Sequence, residues 1–256
     1  MRTAINKRIN GAVALVLTFA TVLQGSAAFA VEPSHAATPN TPSSTSTSTA
    51  CAKVATLQAN NQAAIATRMS TMNGDFTKRL STITTKEASI DANIAAARTA
   101  NTAKFEARIT ELKTKAGLTT AQITALTTFA TSMQSAEKTR EGAVDAARTT
   151  YRTTLNSLIT TQQSTISTAA TTYKASVTAA FTTAAAQCGQ EGAMVNLKTA
   201  LTAARTAFHS AQEKANQSAA IKAAEATKEA TIKAANDAFT KQAIAARTTL
   251  SAALKS

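Results

Sequence analysis

No tryptophan occurs in this 256-residue chain, and the last 214 residues contain no proline. Pro33, Pro39 and Pro42 are the only three. A proline inside a helix removes a hydrogen bond and clashes with the preceding turn, so a proline-free stretch of this length points to long helices. Glycine is nearly as scarce, with only Gly74, Gly117, Gly142, Gly189 and Gly192 after residue 50. That distribution excludes a Gly-rich phosphate loop. Aromatic residues make up 4% of the chain. Large apolar side chains are too sparse for a thick globular core, which leaves thin helical layers.

Groups that carry chemistry are equally few. There are two histidines, His35 and His209, and two cysteines, Cys51 and Cys188. His209 and Glu213 share a helix face at i,i+4 spacing, but no second histidine or facing cysteine completes a metal site, so they read as a solvated pair. Glu106, Glu111, Glu225 and Glu229 sit beside Lys and Arg at helical spacing and read as surface ion pairs. A long thin bundle offers no deep pocket. We therefore expect a non-enzyme, with no catalytic residue, no cofactor and no metal. Asn216-Gln217-Ser218 is a sequon, which has meaning only in a glycosylating host.

What is abundant is alanine, 61 residues, and threonine, 47 residues. Before these take over, residues 1–30 have the layout of a signal peptide. Arg2, Lys7 and Arg8 form a charged n-region, Gly11–Leu23 a short apolar run, and Ala28, Ala30 and Val31 a small-residue cleavage site before Val31. The apolar run is shorter than the roughly 20 residues that a membrane span needs. The expected location is secreted, periplasmic or at the cell surface. Cleavage would lower the formal charge from +13 to +10 by removing three cations. Acids are interleaved with the remaining cations, and no block of five like charges appears, so no specific nucleic-acid motif is present. A weak attraction to an anionic cell-envelope polymer or membrane surface is compatible with this charge. Residues 31–50 are rich in Ser, Thr and Pro and are expected to be a disordered linker.

Residues 51–256 are expected to be an elongated helical domain. Gly117 follows Lys113 and Lys115 as a left-handed C-cap, and Thr119-Thr120-Ala121-Gln122 reads as a capping box. Gly189 and Gly192 mark a second break. The helices then cover about 51–116, 119–188 and 192–255, each roughly 100 Å long at ~1.5 Å per residue. Connections this short favour antiparallel neighbours. The fold class is thus all-α, a long antiparallel hairpin or three-helix coiled-coil-like bundle.

An eleven-residue spacing organises the second helix. Cut into elevens from Thr127, its seventh positions read Met133, Val144, Leu155, Ile166 and Val177, and the next step reaches Cys188. The tenth positions read Ala136, Ala147, Leu158, Ala169 and Ala180, and the third Phe129, Arg140, Tyr151, Gln162 and Tyr173. Positions three, seven and ten fall on one helical face. Eleven residues in three turns is ~3.67 per turn, the period of a straight or gently right-handed coil. The first helix takes the same step at Met72, Ile83, Ile94 and Phe105, and the third at Ile221, Ile232, Ala243 and Leu254. Paired threonines keep the same time on the other side. Thr128, Thr139, Thr150, Thr161, Thr172 and Thr183 form a possible surface ladder.

The cysteines obey the same geometry. Cys51 and Cys188 both lie on apolar stripes, and their midpoint, 119.5, falls in the expected first turn. Folding the chain there brings the thiols together, and export permits a disulfide.

Three readings of function follow. The first is an exported helical rod with a structural, spacing or adhesion role, with self-association through its helices. The second is an amphipathic binder of anionic membrane or envelope polymer. Glu137–Val144, "EKTREGAV", loosely resembles the core of the synuclein-type repeat, over less than one repeat. The third rests on threonine. The six-residue ladder on an Ala-rich helix resembles the alanine-rich helical antifreeze proteins, and that resemblance implies a flat Thr/Ala face that orders water and ice.

Overall fold

The computed structural model describes residues 44–115 and 117–255. The expected signal peptide, with Ala28, Ala30 and Val31, and linker residues 31–43 lie outside the described residues. All regular elements among the described residues are helices: α1 (Ser44–Lys113), α2 (Thr120–Ala186), α3 (Ala193–Lys214) and α4 (Ser218–Lys255).

Two boundaries differ from the sequence reading. Helix α1 starts at Ser44, so residues 44–50 are helical and not part of a disordered linker. Past Pro42 the tract holds neither proline nor glycine, and extending an existing helix avoids the nucleation cost. The expected third helix is also split, at residues 215–217. There the backbone N–H of Ser218 donates to Asn216 Oδ1 at 2.9 Å, and the N–H of Asn216 donates to the carbonyl of Glu213 at 3.2 Å. The asparagine side chain substitutes for a helical partner and restarts the chain as α4.

The other ends follow the sequence. Gly117, Gly189 and Gly192 adopt φ of 91°, 89° and 83°, the left-handed region that favours glycine. Gln122 N–H donates to Thr119 Oγ1 at 3.2 Å, and Thr119 N–H donates to Gln122 Oε1 at 3.0 Å. This reciprocal box starts α2.

The described chain forms two compact units. Unit 1 holds residues 44–78 and 159–218, and unit 2 holds residues 79–158 and 219–255. In unit 1, α1 and α2 run antiparallel, with Cys51 joined to Cys188 and Ser167 facing Asn73. Its core gathers Val54 and Ile65 of α1, Val177 and Phe181 of α2, and Leu197 and Ala204 of α3. Phe181 is 0% exposed. Tyr173 and Phe208 meet with ring centroids 5.5 Å apart.

In unit 2 the buried residues are Ile109, Leu126, Ala136, Ala147, Leu155, Ile221 and Ala243, three of them alanine. Phe105 and Phe129 lie 6.3 Å apart between α1 and α2. Helix α4 is held by two cation–π contacts, Arg140 over Phe239 at 4.9 Å and Lys228 over Tyr151 at 4.4 Å. A cation over an aromatic face contributes about 0.5–1 kcal/mol at exposed sites and more when desolvated.

The core-facing side chains of α2 fall in columns along one side of the helix. Leu155, Ile166, Val177, Ala136, Ala147 and Ala180 are buried, and Met133, Val144, Leu158 and Ala169 are half-buried. A further column lies beside them, eleven residues per step: Leu126, Glu137, Arg148, Ile159, Ala170 and Phe181. Its apolar members are buried and its two charged members half-buried. Position eleven is four residues beyond position seven, so it shares that face.

Candidate functional site

Three groupings stand out, and each is built by a helix face. The first is the disulfide end of unit 1. Cys51 and Cys188 form a disulfide with Cα atoms 5.3 Å apart and a sequence separation of 137. Both cysteines are half-buried, beside the Gln187–Gly192 turn that leads into α3.

The second is the threonine face of α2. Thr128, Thr139, Thr150, Thr161, Thr172 and Thr183 are all exposed, and so are their partners Thr127, Thr149, Thr160, Thr171 and Thr182. Many hydroxyls on this face are already engaged. Thr128 Oγ1 donates to the carbonyl of Thr124 at 3.2 Å, and Thr139 Oγ1 to that of Ser135 at 3.0 Å. Thr127, Thr165, Thr171 and Thr182 do the same four residues back. This back-bonding satisfies the hydroxyl within its own helix.

The third grouping, in unit 2, is a charged lattice between α1 and α2. Arg152 donates to both oxygens of Asp91, at 2.5 and 2.7 Å, and its Nε lies 3.6 Å from Glu87. Arg148 donates to Asp91 at 2.7 Å. Arg98 makes a two-pronged contact with Asp145, at 2.7 and 2.9 Å, and its Nε is 3.2 Å from Glu141. Planar guanidinium–carboxylate forks of this kind fix register as well as adding energy. The hydrogen bond from Arg152 holds the Asp91 carboxyl below its ordinary value, and Arg98 does the same for Asp145. Glu87 moves the other way, because partial burial outweighs the attraction of Arg152. Tyr151 is raised, chiefly by burial. Arg140 pairs with Glu137 and reaches Asn236 of α4, while its Nε is buried with no hydrogen-bond partner.

This lattice was missed in the sequence, where the carboxylates singled out were read as neighbours along one helix. That reading holds for Glu111 with Arg108 and Glu225 with Lys228. The signal for the longer pairs was available. Glu87–Arg152, Asp91–Arg148 and Arg98–Glu141 share the midpoint 119.5 with Cys51–Cys188. Reflecting Glu87, Asp91 and Arg98 about that midpoint finds a partner for each, and the two-pronged pairs Arg152–Asp91 and Arg98–Asp145 lie one helical turn off it.

His209 is half-buried against Phe208, with ring centroids 6.2 Å apart, and Glu213 is exposed. No group of three metal-ligating side chains occurs among the described residues. No described helix is long and apolar enough to cross a membrane. Compared with protein-family models, curated proteins and solved structures, the chain matches none.

Proposed function

We propose that the chain is an exported, non-enzymatic helical protein with a structural, spacing or adhesion role at the cell surface or outside the cell. The observation that carries this reading is a pair of uninterrupted helices of 70 and 67 residues tied together through Cys51 and Cys188. Disulfides persist in oxidising compartments, which agrees with the signal-peptide pattern of residues 1–30. The buried columns of α2 read as an eleven-residue coil. Such a repeat specifies an inner seam and an outer face along the helix. Function then belongs to the outer face.

The experiment is retention of the secreted, oxidised protein on fractionated envelope from its own cells. Retention on one fraction is expected. Uniform failure to bind removes the adhesion role, and binding that vanishes in high salt shifts the reading to a charge-driven binder of anionic polymer or membrane. The exposure of all six ladder threonines favours one second reading, an ice-ordering face. Thermal hysteresis and ice-recrystallisation assays test it, and a blank in both removes it.

A further inference from the structure

Asn216-Gln217-Ser218 is the chain's only Asn-X-Ser/Thr triplet in which X is not proline. It falls across the one place where the expected third helix is broken, between Lys214 and Ser218. A triplet inside a continuous helix would keep its backbone tied up in i→i−4 hydrogen bonds. This one has the backbone already turned out of that ladder.

The local geometry divides the asparagine side chain into two halves. Oδ1 accepts from the N–H of Ser218 at 2.9 Å, forming an Asx turn across the triplet itself. Nδ2 donates to nothing among the described residues, and the side chain is exposed. Glu213, Lys214 and Ala219 around it are exposed as well. The amide nitrogen is thus free and exposed, and the half-buried Ser218 lies two residues on in the same turn.

We propose that Asn216 is the acceptor of an N-linked oligosaccharide. The donor class is a lipid-linked sugar diphosphate. Nδ2 attacks the anomeric carbon, and the C1–N bond forms as the C1–O bond to the diphosphate breaks. The lipid diphosphate departs with the bonding electron pair, and one Nδ2 proton passes to a base of the transferase. Oδ1 takes no part in the transfer, so the turn that starts α4 survives the modification. The inference rests on the export reading, since this transfer acts on chains leaving the cytoplasm.

The test uses full-length protein recovered from its native host. Intact mass and peptide mapping are expected to show an oligosaccharide on the Asn216 peptide, removed by an amidase that cleaves the sugar–asparagine bond. Asn216→Asp retains a capping oxygen and removes the acceptor amide. Ser218→Ala retains the asparagine and removes the hydroxyl of the triplet. Both variants are expected to run at the unmodified mass with the helical circular dichroism of the wild type. An unmodified Asn216 peptide in the native protein overturns the proposal. Amino-terminal sequencing of the same sample separates the two readings. A chain beginning at Val31 with bare Asn216 loses the glycan and keeps export, whereas one beginning at Met1 with bare Asn216 loses both.

Discussion

At Phe181 in unit 1, and at Arg148 and Glu137 in unit 2, α2 puts the same step of its eleven-residue spacing to opposite uses. Phe181 is sealed in a core with Val54, Val177 and Leu197, while Arg148 reaches across to Asp91 and Glu137 pairs with Arg140. The contrast runs through both units. Unit 1 has seven Lys/Arg and three Asp/Glu among its described residues, and unit 2 has seventeen and ten. Burial of apolar area is indifferent to pH and is not screened by salt, whereas half-exposed ion pairs weaken with both salt and acid. One helix can therefore run through two stretches of different chemistry without changing its backbone.

The largest effect expected from breaking this comparison lies in the disulfide. Replacing both Cys51 and Cys188 by serine releases a closed loop of more than 130 residues, about 5 kcal/mol in the chain-entropy model. Thermal melts followed by circular dichroism should show a large fall in midpoint for the variant, and the same fall for reduced wild type. Equal midpoints with and without reductant would show that unit 1 stands on its core alone.

Phe181→Ala comes next. Removing a fully buried aromatic side chain costs about 3–5 kcal/mol, and the variant should unfold at correspondingly lower urea concentration. Because the site is apolar, the loss should be the same at low and high salt. A loss that changes strongly with salt would contradict the division drawn between the units.

Acid should act on unit 2 first. Asp91 and Asp145 have carboxyls held below the ordinary 3.8 by their arginine partners. A lowered folded-state value means stability that is fully present above 3.8 and lost as the pH falls through the depressed values. Glu87, raised above 4.5 by burial, has the opposite sign: ionising it costs folded-state stability, and protonation relieves that cost first. The net loss is therefore confined to pH below about 3.8, and as the pairs are partly exposed it amounts to about 1 kcal/mol. Amide hydrogen exchange across residues 79–158 should rise there before that of residues 159–186. Simultaneous opening of both stretches would count against the division.

The smallest effect is at the threonine face. Thr150→Ala removes an exposed β-branched residue and should raise stability by about 0.5 kcal/mol through helix propensity alone. A destabilised variant would show that Thr150 makes a contact beyond its own helix.

Periodic features of the fold were readable in the sequence, and features resting on a single residue or on a tract without period were not. The buried column from Leu155 to Val177, the left-handed glycines and the Thr119–Gln122 box each have a spacing or residue type tied to one geometry. The column through Ile159, Ala170 and Phe181 escaped because its other members, Glu137 and Arg148, break the apolar pattern. The start of α1 at Ser44 escaped because Ser/Thr tracts give no periodicity in either direction. The break at Asn216 escaped because one hydrogen bond decides it. Of the candidate groupings, the disulfide and the exposed threonines were accessible from spacing, and the charged lattice required the reflection that the cysteines had already supplied.

The covalent tie between Cys51 and Cys188 also changes what a cut in the chain would mean. Every peptide bond from residue 51 to residue 188 lies inside one closed ring. A protease that cuts after the exposed Lys115 opens that ring and frees no fragment, because the two pieces stay joined through sulfur. In a proteolytic environment, a single cleavage between α1 and α2 thus leaves the molecule in one piece.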